Sequence, residues 1–221
     1  MLRPSGFLLP LLLSLLISLP FPSSPLPLVL SIDGGTESIR ACVFDASTGK
    51  PVGSPCATPY NTSFPRPGWA TQSPTDWYEC MKASVSGALM SASAAVQDDA
   101  KGHVEAVCVD TTCCSVCFLD EGFRPVEDCM LWMDSRSSEE CDEIMERAKG
   151  DPALEVNSGG EGPVSAEWML PKCMWFKKNL PGAWARVRRV CEYQDYVNFR
   201  LTGRYVGSAV NAGARWHFDA G

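Results

Sequence analysis

Val29-Leu30-Ser31-Ile32-Asp33-Gly34-Gly35-Thr36 opens the globular part of this chain and decides its fold class. A short apolar run ends in an acid, two glycines and a hydroxyl, which reads as a buried strand closed by a turn. Ile39 to Phe44 gives a second strand, and Lys50-Pro51-Val52-Gly53 starts a third. Asp45-Ala46-Ser47-Thr48-Gly49 between them is rich in turn formers. The domain therefore opens with antiparallel strands around two turns. Glycines after a buried strand let a backbone approach a phosphate closely and offer it N–H groups. Thr36 adds a hydroxyl, and Arg40 follows downstream. Asp33 would hold Mg²⁺ on such phosphates, because two anions attract only through a cation. A plain hairpin turn uses the same Asp-Gly pair, so both readings stand at this point.

Outward from this stretch, Phe64-Pro65-Arg66-Pro67-Gly68-Trp69 is a rigid loop, since two prolines and a glycine exclude regular structure. Ser73-Pro74-Thr75-Asp76 is a helix start, and Trp77, Met81, Val85 and Leu89 repeat at helical spacing. Val104 to Val109 and Ser115 to Leu119 are strands on either side of Asp110-Thr111-Thr112-Cys113-Cys114. Met130 to Met133 is a further apolar run, and a helix is predicted from Ser137 to about Gly150. Asn157 to Pro163 is a glycine-rich loop. Trp168 to Asn179 and Glu192 to Leu201 read as helices, the last ended by Gly203. Asp219-Ala220-Gly221 adds no obvious final element. Strands first, then alternating helices and strands, predict a layered α/β domain with a mixed sheet.

Three further segments carry candidate chemistry. Asp110, Thr111 and Thr112 put an acid and two hydroxyls between two strands, which suits a polyol site or a capped turn. Trp132 offers an apolar plate, while Asp134 and Arg136 point to one side if extended. They can pair with each other or with sugar hydroxyls. Glu167 at the start of a helix can reach into a cleft, with Lys172 about a turn further on.

Among the 221 residues, 45% are hydrophobic and 20% charged, with a net charge of -7, as in a soluble globular protein. No basic patch points to nucleic acid, and Arg186, Arg188 and Arg189 read as the solvated face after a helix. The 11 cysteines are odd in number and mostly sit singly in apolar runs, which predicts a reducing compartment. Cys113 and Cys114 are adjacent, and neighbouring strand residues face opposite ways, so these two are not expected to share a partner. The histidines lack the spacing that would make Cys114 and Cys117 a zinc site. Residues 1–27 are a hydrophobic leader or linker. The apolar run from Phe7 to Leu19 resembles a secretory signal and is too short to span a bilayer. The cysteines favour cytoplasm or plastid as the destination.

In order and spacing, Asp33-Gly34-Gly35-Thr36, Pro67-Gly68-Trp69-Ala70, Asp110-Thr111-Thr112-Cys113-Cys114-Ser115, Leu131-Trp132-Met133-Asp134-Ser135-Arg136, Ala166-Glu167-Trp168-Met169-Leu170-Pro171-Lys172 and Asp195-Tyr196-Val197-Asn198-Phe199-Arg200-Leu201-Thr202-Gly203 resemble the N-terminal domain of FGGY carbohydrate kinases. The resemblance runs from Leu28 to about Phe218 and is strongest to the ribulokinase-like and pentulose-kinase-like members. It implies an actin-like, ribonuclease-H-like lobe, incomplete at its C-terminal end (residues 28–221), with a second lobe absent. It also implies transfer of the ATP γ-phosphate, with Mg²⁺, to a sugar hydroxyl, such as that of ribulose, and a possible homodimer. By that resemblance Asp33 handles Mg²⁺. Gly35, Thr36 and Arg40 take phosphates, and Cys113, Trp132 and Glu167 take the sugar; Gly34 on the phosphate side and Thr112, Asp134 and Arg136 on the sugar side are further candidates from the reading of their own segments. Glu37 departs from the hydroxyl residue often found there and adds negative charge beside the phosphates. The catalytic aspartate and the adenine pocket are expected beyond residue 221, so the chain alone is expected to be inactive. The alternative is a non-catalytic sugar-binding or regulatory module.

Overall fold

The computed structural model describes residues 26–155 and 164–218. Nearly all of the leader, the glycine-rich loop and Asp219 lie outside the described residues. In chain order, β1 is Leu28–Gly34, β2 is Ser38–Asp45 and β3 is Pro51–Pro59. Then come β4 (Thr71–Gln72), α1 (Pro74–Val96), β5 (Val104–Thr111), β6 (Val116–Leu119) and β7 (Cys129–Met130). The remainder is α2 (Ser138–Arg147), α3 (Met169–Asn179), the short α4 (Pro181–Trp184), β8 (Arg189–Glu192), α5 (Tyr193–Thr202) and α6 (Ala209–Arg215).

Two four-stranded sheets result. The first has the order β3-β2-β1-β5; its first three strands pair antiparallel, and β1 pairs parallel to β5. A parallel pair needs a long crossover, and α1 supplies it. Alternation fixes the register: Leu28, Leu30 and Ile32 on β1, and Ile39, Ala41 and Val43 on β2, are all buried on one face. The helix α1 covers that face. Ser73 caps it by accepting from the Asp76 N–H at 3.3 Å, and Pro74 opens it.

The fully buried stripe of α1 runs through Trp77, Met81, Ser84, Ala88 and Ala92, while Val85 and Leu89 of the apolar repeat are partly buried and pack against the same core. Small residues win because the strands lie very close. A Cβ on Gly87 would meet Cys56 Sγ at 2.4 Å, and one on Gly53 would meet the Ser91 carbonyl carbon at 2.6 Å. The second sheet, β4-β7-β6-β8, is antiparallel throughout. All four residues of its central strand β6 are buried, and Phe118 stacks on Phe176 of α3 at 3.9 Å.

Two elements depart from the sequence expectation. Arg186 and Arg188 are exposed, as expected of a solvated face, but Arg189 is the first residue of β8, where Val190 and Cys191 pair with Phe118 and Cys117, so a strand begins there that the sequence reading does not place. A final helix, α6, follows Ser208, whose hydroxyl accepts from the Asn211 N–H. All 11 cysteines are free thiols. Among the described residues, no helix is long and apolar enough to cross a membrane.

Candidate sugar and phosphate site

β1 and β5 run in the same direction, so the turns that leave them emerge at one edge of the sheet. The Thr112 N–H donates to Gly34 O at 3.0 Å and ties the two turns together. Ligands of α/β sheets bind in the crevice outside such carboxyl ends. Here that crevice is a cavity of ≈ 320 Å³ lined by Thr36, Thr112, Cys113, Cys114, Trp132, Glu167 and Arg215.

The β1 turn is held from below. The Tyr60 hydroxyl donates to Gly35 O and lies 3.2 Å from the Tyr193 hydroxyl. Gln72 Nε2 donates to Thr36 O at 2.7 Å, and Gln72 Oε1 accepts from Trp77 Nε1 at 2.8 Å. Gly34 tolerates no side chain, because a Cβ there would lie 2.8 Å from the Tyr193 ring. Trp132 donates from Nε1 to Thr36 Oγ1 at 3.1 Å, which sets its ring as one wall of the cavity.

The β5 turn is clamped between two buried charges. Lys172 Nζ, fully buried, donates to Cys114 O at 2.8 Å and to Leu131 O at 2.6 Å. Glu192, also fully buried, accepts from the Cys114 N–H at 2.9 Å, from Trp216 Nε1 at 3.0 Å and from Asn211 Nδ2 at 3.2 Å. The backbone of Cys114, through Lys172 and Glu192, is thus joined to α3, the Trp132 segment and α6. Burial pushes the Lys172 pKa down to about 8 and raises that of Glu192. For Glu192, the hydrogen bonds from Trp216 and Cys114 and the charge of Lys172 work against the shift, and burial outweighs them.

The clamp holds Cys114 at φ +64, a conformation that L side chains rarely adopt. It follows that Cys113 and Cys114 both line the cavity, with sulfurs 3.9 Å apart. The expectation that they face opposite ways fails because β5 ends at Thr111 and the strand alternation ends with it.

Asp134 and Arg136 are not among the cavity-lining residues. Arg136 Nη2 donates to Asp134 Oδ2 at 2.6 Å, with side-chain exposures of 6% and 0%. Asp134 also accepts from the Ala70 N–H at 2.7 Å, and the Arg136 guanidinium lies over the Trp69 ring at 3.8 Å and the Trp175 ring at 4.9 Å. Of the two roles their spacing allows, the structure builds the ion pair that fixes the loop. Asp33 and Arg40 are not among the cavity-lining residues either; they occupy opposed positions of β1 and β2 and form an ion pair at 2.6 Å, half exposed on both sides. Arg215 and Cys114 are cavity residues that the sequence reading misses. The Ser208 cap ahead of an alanine-rich run was the available signal for α6, the helix that carries Arg215.

A family model, the FGGY family of carbohydrate kinases, N-terminal domain, matches residues 28–220. The chain belongs to the FGGY carbohydrate kinase family. Over 177 residues it is 30% identical to the xylulose kinase of Lactococcus lactis, covering 79% of this chain and 33% of that protein. Over 215 residues it is 29% identical to the ribulokinase of Halalkalibacterium halodurans, covering 85% and 36%. The crystal structure of a xylulose kinase from Rhodospirillum rubrum shares the fold, with a TM-score of 0.75 at 23% identity, over 84% of this chain and 36% of that one. The chain therefore spans about a third of the length of the curated relatives it matches. A glycerol kinase of Cereibacter sphaeroides also matches, 27% identical over 198 residues, so three acceptor specificities match at similar identity and membership of the ribulokinase branch in particular does not follow.

In this FGGY domain, Asp33 and Asp110 sit at paired positions of β1 and β5. Among the described residues, no group of three or more His, Cys, Asp or Glu could hold a metal ion. Mg²⁺ does not need one: it keeps waters and takes one or two carboxylates plus phosphate oxygens. Two hard carboxylates beside a glycine turn fit that mode.

Proposed function

We propose that this chain is the sugar-gripping part of an ATP-dependent carbohydrate kinase whose acceptor is a pentulose such as ribulose. One observation carries the reading: Thr36 belongs both to the glycine turn after β1 and to the cavity that holds Thr112, Cys113, Trp132 and Glu167. A sugar seated there has a hydroxyl beside the place where a nucleotide's terminal phosphate would rest. Phosphoryl transfer asks little of the protein beyond positioning and charge neutralisation. Trp132 offers its ring to the C–H face of the sugar. Thr36 and Thr112 offer hydroxyls, Glu167 a carboxylate and Arg215 a guanidinium. Mg²⁺, when bound, neutralises phosphate charge; Asp33 with Asp110 would hold it, and Arg40 would face the phosphates. The xylulose kinase and ribulokinase likenesses support a five-carbon keto sugar as the acceptor class.

Calorimetric titration with D-ribulose, D-xylulose and glycerol tests this. Both pentuloses are expected to bind, and Trp132→Ala is expected to weaken them about tenfold or more. Tighter binding of glycerol would move the acceptor class, and binding of none of the three would refute the reading. Phosphate transfer from Mg·ATP, assayed on a full-length form that carries the second lobe the resemblance implies, then separates a kinase from a module that binds sugar without turnover.

A further inference from the structure

Cys113 and Cys114 present two thiols to one cavity at a sulfur separation of 3.9 Å. Cys113 is exposed, and Cys114 is 4% exposed on the inner side. The left-handed backbone at Cys114, held by Lys172 and Glu192, keeps both sulfurs on the same wall. The other thiols are placed differently. Cys117, Cys129 and Cys191 are sealed in the core, and Cys108 is exposed on β5. Soft sulfur ligands select soft, thiophilic centres, and two of them on one short tether chelate.

We propose that Cys113 and Cys114 form a chelating dithiol site for trivalent arsenicals, and that its occupation closes the sugar cavity. The chemistry balances without oxidant or reductant. With an organic arsenic oxide, R–As=O, two As–S bonds form and the As–O bonds break. The two thiol protons leave on the oxygen as one water. The exposed Cys113 makes the first As–S bond, and Cys114, whose burial pushes its pKa up to about 12, closes the ring second, giving up its proton as the bond forms. The closing of the cavity to sugar rests on the function proposed above; the dithiol site itself does not.

The test uses the whole 221-residue chain, phenylarsine oxide as probe, excess monothiol as competitor and intact mass as readout. One adduct per chain is expected, with two of the 11 thiols lost and the adduct mapped to the peptide holding Cys113 and Cys114. Cys113→Ser, at an exposed position, and Cys114→Ser should each lower retention against monothiol by about a hundredfold, because the chelate is gone. Cys108→Ser should retain the adduct. An adduct that survives in the double variant, or that maps elsewhere in the unsubstituted chain, overturns the proposal even if Cys114→Ser folds poorly. Saturating D-ribulose should slow capture. Capture without sugar protection leaves the dithiol site standing and counts against the sugar reading. Sugar binding without capture does the reverse.

Discussion

Asp134→Ala leaves the Arg136 guanidinium inside the protein, between Trp69 and Trp175, with its salt-bridge carboxylate gone. The pair is buried on both sides, at 6% and 0% exposure, so water cannot take over the charge. Removing one partner of a buried pair costs about 3–5 kcal/mol. The Ala70 N–H, which donates to Asp134 at 2.7 Å, loses its acceptor as well. An orphaned buried donor adds about 1–3 kcal/mol. The expected loss of about 4–8 kcal/mol is comparable to the whole stability of a domain, about 5–15 kcal/mol. For a chain of this size each kcal/mol moves Tm by about 2–4 °C, so the transition should fall by about 8–32 °C or vanish. Differential scanning calorimetry measures it. Asp134→Ala with Arg136→Met should recover much of the loss, because the stranded cation goes too and the methionine keeps apolar contact with the rings. A single variant that melts within about 2 °C of the parent would refute this reasoning. So would Asp134→Asn if it keeps its stability yet loses sugar affinity, since that would return the residue to the sugar.

Lys172→Met removes an amine whose folded pKa is lowered to about 8. Between that value and the ordinary lysine range the unfolded chain binds more protons, so this group makes stability rise with pH there. The stability of the parent minus that of the variant should therefore grow by about 2 kcal/mol from pH 7 to 9.5 in urea melts, and a flat difference would contradict the burial. Gly34→Ala drives a Cβ to 2.8 Å from Tyr193, a ring stacked at 3.8 Å on Trp77 that has no room to retreat. A loss of about 1–3 kcal/mol is expected in the same assay, and an unchanged midpoint would mean that the β1 turn is looser than described.

Much of the fold could be read ahead of the structure because its signals are local. The alternation in β1 and β2, the Ser73-Pro74 helix start and the Gly203 stop each lie within a few residues. The second sheet was legible only at β6, since β4 and β7 are two residues each and exist only through partners far along the chain. The cavity was legible at Thr112, Cys113, Trp132 and Glu167, where residue type and motif coincide. It was not legible at Cys114, whose direction is set by Lys172 and Glu192, residues 58 and 78 positions away. Asp134 and Arg136 were ambiguous for a related reason. Their spacing allowed two roles, and the Trp69 and Trp175 rings that settle it come from distant segments.

The central claim is that a sugar sits between Trp132 and Glu167, with a hydroxyl reaching the Thr36 turn. A crystal structure of the chain soaked with D-ribulose or D-xylulose tests it most directly. The account predicts sugar density in the cavity lined by Thr36, Thr112, Cys113, Trp132 and Glu167, with a hydroxyl within hydrogen-bond distance of Thr36. Density elsewhere, or an empty cavity at a sugar concentration that saturates the calorimetric signal, would contradict it.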